Sequence, residues 1–295
     1  MTEHETWDIA TGVGITALGV ACCRALETRR PDSLARDPFA ENFLAAARLS
    51  EADASLLPDL DAAPADLGPL WTSMPTYLGV RTRFFDEYFA KVCASGVRQV
   101  VLIAAGLDTR AFRLDWPAGT ELFELDQRMV LTFKDDVLAD QAARARCGRH
   151  TVFADLRDDW PAALREAGFD PSRPTAWLVE GLLSFLPAEA ERNLFAQLER
   201  LSVPGSWLAI DSIAGDERDH VVDSAFAEAA RNTPFEVGST VWQTESRPEP
   251  IEVLRSGGWT VTVERVAEAA QRFGRVVDGV MSIPAQVTML LTASR

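Results

Sequence analysis

The residues with the clearest chemical meaning are Gly106, Asp126, Asp155 and Glu180, each closing one of four successive apolar stretches. Arg98–Ala105 has the texture of a buried parallel strand and runs into Gly106-Leu107-Asp108-Thr109-Arg110. Glycine at that point lets a ligand approach the backbone closely, and a helix start beyond it would offer free N–H groups. Thr120–Leu125 ends at Asp126, 20 residues after Gly106, where a carboxylate commonly accepts hydrogen bonds from ribose hydroxyls. Strand alternation puts Glu124 on the same side as Asp126, and the position at the strand's tip favours Asp126. His150–Ala154 leads into Asp155-Leu156, and Thr175–Val179 into Glu180-Gly181. An acidic edge suits a ligand with an adenine amine, ribose hydroxyls and positive charge. It repels a pyrophosphate. The loop also has one glycine where G-x-G-x-x-G wants three. The chemistry therefore favours S-adenosylmethionine, a sulfonium nucleoside without phosphates, over NAD or ATP.

These residues need a scaffold that brings strand ends together. Helix-length stretches near Gln127–Arg144, Trp160–Ala167 and Pro187–Leu201 separate the strand candidates, and Ser206–Ile210 adds a fifth. Such alternation predicts a parallel sheet covered on both faces, with ligands beyond the carboxyl ends of its strands. Trp259–Val266 and Gln286–Thr292 supply two closing strands, making seven. Residues 1–95 read as a helical extension broken at Pro31, Pro38, Pro58, Pro64, Pro69 and Pro75, with Asp53–Pro75 as a surface excursion. Residues 96–295 form the α/β domain. Gly215–Pro250 departs from the alternation and reads as an insertion over the ligand edge.

The 295 residues carry 29 basic and 44 acidic side chains, a net charge of −15, which argues against nucleic-acid or anionic-lipid partners. The apolar run Ile9–Cys23 follows Glu3, Glu5 and Asp8 rather than the basic residues of a secretory leader. Cys22, Cys23, Cys93 and Cys147 lack metal-type spacing and read as reduced thiols. A cytoplasmic protein is expected.

The segments Arg81-Thr82-Arg83-Phe84-Phe85-Asp86, RQVVLIAAGLDTRAFRL, FELDQ, Phe133-Lys134, ADLRDDW and LVEGLLSFLP together resemble the leucine carboxyl methyltransferase family. Gly12-Val13-Gly14, Thr16-Ala17-Leu18 and Asp37-Pro38-Phe39 are similar to its bacterial branch, which includes polyketide O-methyltransferases. The resemblance runs from about Trp7 to Asp211 and implies a Rossmann-like class I methyltransferase fold, a mostly parallel seven-stranded sheet with a helical lid. It further implies that Arg81 meets the methionine carboxylate of S-adenosylmethionine and that Gly106 lies beneath the methionine portion. Asp126 would take the ribose, Asp155 and Leu156 the adenine, and Glu180 the amino-acid end. Ala104 stands where the family often has glycine, a departure costing on the order of 1 kcal/mol if that position needs a positive φ.

Methyl transfer to oxygen asks for an acceptor held in line with the S–CH₃ bond and for exclusion of water. A carboxylate acceptor needs no general base, whereas a hydroxyl acceptor does. His220 is the one histidine placed as a base candidate, and Tyr77 could close over the site. Phe226, Phe235 and Trp242 in the insertion are candidate pocket walls. Trp116 and Trp160 read as structural, and Arg110 and Arg113 as ion-pair partners of Asp108 or Asp115. The expected activity is transfer of a methyl group to a carboxylate or hydroxyl oxygen of a small molecule. A non-catalytic cofactor binder and an NAD-dependent oxidoreductase are the alternatives.

Overall fold

A computed structural model describes residues 13–47, 49–63, 65–214, 217–236 and 249–295. Seven strands form one sheet: β1 (Gln99–Ile103), β2 (Glu121–Asp126), β3 (Gly148–Phe153), β4 (Thr175–Val179), β5 (Trp207–Ile213), β6 (Thr260–Arg265) and β7 (Thr288–Ser294). Their order is β3-β2-β1-β4-β5-β7-β6. The first five strands in that order pair in parallel, and β7 runs antiparallel to both β5 and β6. Chain direction across the sheet reverses between β1 and β4, so the crevice for a ligand opens at that switch point.

The helices before the sheet are α1 (Val13–Thr28), α2 (Ala40–Ala46), α3 (Glu51–Ala54) and α4 (Pro69–Ala94). Between strands lie α5 (Arg110–Arg113), α6 (Arg128–Asp140), α7 (Trp160–Glu166) and α8 (Ala188–Arg200). After β5 come α9 (Arg218–Val222), α10 (Ala225–Ala229), α11 (Pro250–Ser256), α12 (Val266–Arg272) and α13 (Ser282–Val287). All seven predicted strands are present: β4 has the predicted ends, and the others are displaced by one to three residues.

The near-continuous apolar runs of β1 and β4 follow from burial on both faces. Val100, Leu102 and Leu178 pack towards Leu18 and Phe43 of the first two helices and towards Phe85 and Tyr88 of α4. Val101, Ile103, Trp177 and Val179 pack towards Trp160, Leu164 and Phe195 on the other side. The predicted boundary near residue 95 falls in the turn between α4 and β1, and the first of these cores runs across it.

Two expectations for the first 95 residues need correction. Pro75 is no break: it lies inside the 26-residue helix α4. One ladder hydrogen bond is lost there, but Trp71, Met74, Tyr77 and Leu78 around it are all buried. The predicted excursion from Asp53 therefore ends at Gly68, because Pro69 occupies the first helical turn, where its missing N–H costs nothing. The helix expected after Gly106 is also shorter than its motif suggests, since α5 is a single turn that starts after Thr109.

Candidate active site

The strand ends and the helices around them enclose a cavity of about 1040 Å³. Arg81, Ala104, Gly106, Asp126, Asp155, Leu156 and Glu180 all line it, as does Tyr77. Ligand sites commonly occupy roughly 300–1,000 Å³, so this cavity has room for a nucleoside and a second small molecule.

Its floor is polar and tightly tied. Asp126 at the tip of β2 accepts the Gly106 N–H on one oxygen and the Gln127 N–H on the other, both at 2.7 Å. Burial pushes its carboxyl above the ordinary range, and those two backbone donors partly offset the rise. Each oxygen keeps a lone pair for a further donor. Glu124, which shares its face, is spent elsewhere: completely buried, it binds Lys134 Nζ at 2.8 Å and Arg149 Nη2 at 2.7 Å. The turn after β1 has φ of +53° at Ala104 and +49° at Gly106. A Cβ added at Gly106 would meet only the Ala104 carbonyl oxygen, at 4.0 Å, so it would project into open cradle space. The conditional penalty at Ala104 therefore applies, because an L-residue in the left-handed region is strained by about 1–2 kcal/mol.

A buried ion-pair chain runs beside this turn. Glu180 accepts Arg81 Nε at 3.0 Å and Arg110 Nη1 at 2.7 Å. Arg81 Nη1 also reaches Asp211 Oδ2 at 3.0 Å, and the other oxygen of Asp211 accepts the Gly181 N–H at 2.6 Å. Arg110 continues to Asp108 and, through Nε at 2.8 Å, to Asp86, which Arg113 also binds at 2.6 Å. Arg113 thus pairs with Asp86 and not Asp115, whose partner is Arg146. Burial opposes ionisation of Asp108, but Arg110, Lys134 and Arg113 outweigh it and hold the carboxyl at about 2. Burial likewise opposes the charge on Arg81, and Asp211 and Glu180 more than compensate.

Much of the remaining lining is apolar. Val20 of α1, Met74 of α4, Ile213 of β5, Val221 of α9, Phe226 of α10 and Met281 line it. Phe235 packs on Trp71 with ring centroids 5.8 Å apart. Tyr77 donates to Thr288 Oγ1 at 3.0 Å, and burial pushes its hydroxyl up to about 12, so it stays protonated at neutral pH. His220 does not fit the role of a base: it is exposed on α9 and away from the cavity lining. Trp242 lies outside the described residues. Trp116 donates from Nε1 to the Arg110 carbonyl at 2.9 Å and Trp160 is buried in the core, both structural as expected. Asp211 was missed, although it follows the fifth predicted strand just as Asp126 follows the second. Thr288 and Met281 had no comparable signal, since they reach the cavity from the chain's last turns.

The sheet order and the acidic strand-end cavity are those of a Rossmann-like methyltransferase fold. A methyltransferase from Thermobifida fusca, provisionally so named, shares it with a TM-score of 0.51 at 21% identity, over 86% of this chain and 92% of that one. A Streptomyces avermitilis protein of the duf574 family gives 0.54 at 18% identity, over 76% and 86%. This chain belongs to the leucine carboxyl methyltransferase family, whose model matches residues 17–199. A Saccharopolyspora erythraea relative, provisionally named an S-adenosyl-L-methionine-dependent methyltransferase, is 48% identical over 275 residues, 93% of each chain. A Rhodococcus jostii relative of the same description is 46% identical over 279 residues, 94% of this chain and 92% of that one. The protein is an S-adenosylmethionine-dependent methyltransferase. Among the described residues no cluster of metal-ligating side chains occurs, and no helix is long and apolar enough to cross a membrane.

Proposed function

We propose that the protein transfers a methyl group from S-adenosylmethionine to an oxygen atom of a small molecule held in the same cavity. The observation that carries this reading is that one cavity is lined both by the polar strand ends and by apolar side chains of α1, α4, α9 and α10. The residues present suit the cofactor. Asp126, fixed by two backbone N–H groups, has lone pairs left for a ribose diol, and the open cradle at Gly106 admits the methionine portion. Arg81 engages its carboxylate partners through Nε and Nη1, which leaves Nη2 for the methionine carboxylate. Asp155 and Leu156 bound the adenine end, and Glu180 the ammonium end.

When bound, S-adenosylmethionine would supply a methyl group activated by its sulfonium sulfur for transfer to the acceptor oxygen. The chain's own contribution is placement and exclusion of water. Tyr77 and the apolar wall shield and orient the acceptor. We read that acceptor as a polyketide-type metabolite on the strength of the blocks near residues 12–18 and 37–39. A cytoplasmic setting is supported by the four cysteines, all of them free thiols.

Calorimetric titration with S-adenosylmethionine, with NAD as the parallel ligand, tests the cofactor assignment. Binding of the sulfonium alone is expected, and no binding of it sinks the reading.

A further inference from the structure

We infer that Asp211 is a positioning residue of the cofactor site: it holds the Arg81 guanidinium so that its remaining nitrogen, Nη2, is presented to the methionine carboxylate. The inference rests on the cofactor reading above. The two carboxylates that grip Arg81 are not equivalent. Glu180 is shared, with one oxygen on Arg81 Nε at 3.0 Å and the other on Arg110 Nη1 at 2.7 Å. On that reading it also meets the ligand's ammonium, so an arriving ligand competes with Arg81 for it. Asp211 is undivided: among the described residues Arg81 is its one ion-pair partner, at 3.0 Å. Its second oxygen accepts the Gly181 N–H at 2.6 Å, which fixes the direction in which the carboxylate points. Asp211 can therefore keep Arg81 in place while Glu180 turns to the ligand.

The surroundings of Arg81 point the same way. Gly181 leaves its side-chain space to the guanidinium: a Cβ there would stand 3.5 Å from Nη1 and 3.6 Å from Nη2. Glu180 at Nε, Asp211 at Nη1 and Gly181 against the terminal nitrogens thus seat the group, and all three residues line the cavity. An arginine has many rotamers, and holding it ahead of binding spares the ligand that ordering cost. Asp211 is itself buried, which pushes its carboxyl above the ordinary range, and the charge on Arg81 opposes that rise. Fold stability alone gives little reason for such a pair, since apolar groups of the same shape hold a core as well.

The test is Asp211→Asn, which keeps the shape but cannot accept from both Arg81 and Gly181, because its amide has one acceptor end and one donor end. The full chain is titrated calorimetrically with S-adenosylhomocysteine, which carries the carboxylate, and with methylthioadenosine, which lacks the amino-acid end. Asp211→Asn is expected to weaken S-adenosylhomocysteine about tenfold or more and to leave methylthioadenosine within about twofold. In an Arg81→Met chain, which lacks the group that Asp211 acts through, adding Asp211→Asn should change S-adenosylhomocysteine binding by less than about twofold. Unchanged S-adenosylhomocysteine binding in Asp211→Asn overturns the inference. So do equal losses for both ligands, the mark of a residue that only supports the fold. A full further loss in the Arg81→Met chain overturns it too, since Asp211 would then touch the ligand itself. If the wild type takes S-adenosylhomocysteine but not methylthioadenosine, the Arg81→Met comparison decides alone. A wild-type chain that binds no S-adenosylhomocysteine overturns the cofactor reading, and this inference falls with it.

Discussion

The floor and the wall of the cavity are built on opposite principles. On the floor, Arg110 is buried and binds Asp86, Asp108 and Glu180 at once, so each charge there depends on its neighbours. The wall side chains make apolar contacts that any filler of similar shape can replace. A charged network fixes the positions of a few atoms, whereas apolar side chains fix only a volume.

Removing Arg110 should break the comparison most forcefully. Arg110→Ala leaves three carboxylates without their shared cation and is expected to cost about 3–5 kcal/mol in denaturant unfolding. Retention of wild-type stability would show that the floor is not held by this network. A smaller effect separates the two regions by ligand. Asp126→Ala should weaken S-adenosylmethionine binding by about 1–3 kcal/mol. Phe226→Ala should leave that binding alone while raising the KM for the acceptor about fivefold to thirtyfold, for the apolar area lost. If both variants lose the same ligand, the division into floor and wall is wrong.

Acid should find the floor before the wall. Asp108 sits at about 2 in the fold against 3.8 unfolded, so its contribution is complete above about pH 4 and drains away as pH falls towards 2. It amounts to about 2 kcal/mol, and Asp108→Asn should flatten that part of the stability profile by the same amount. The smallest effect is a gain. Ala104→Gly removes the left-handed strain at φ +53° and should stabilise the protein or tighten cofactor binding by about 1 kcal/mol, visible in the melting temperature or the titration.

The floor was far more legible than the wall. Gly106, Asp126, Asp155 and Glu180 each follow directly on a strand whose apolar run is unmistakable, so local sequence places them at one sheet edge. Asp211 obeys the same rule and was overlooked only because the predicted strand was not followed past Ile210. Arg81 was found by resemblance, since nothing local says that a helix residue crosses to Glu180, 99 positions away. His220 was mistaken for a candidate because an exposed helix and a cavity wall can carry the same short sequence.

What the sequence determined by itself is the alternation of strands with helices, hence a parallel sheet, and the acidic residues that must gather at its carboxyl edge. These follow from short apolar runs buried on both sheet faces and from the helix-length stretches between them, which are properties of neighbouring residues. Tertiary structure alone decided which charges are already spent. Whether Arg81, Arg110 and Arg113 are free to bind an acceptor depends on Asp86, Glu180 and Asp211 arriving from α4 and the ends of β4 and β5. Thr288 likewise meets Tyr77 across 211 positions. Coulomb and hydrogen-bond energies depend on distances in space, and no spacing along the chain fixes those.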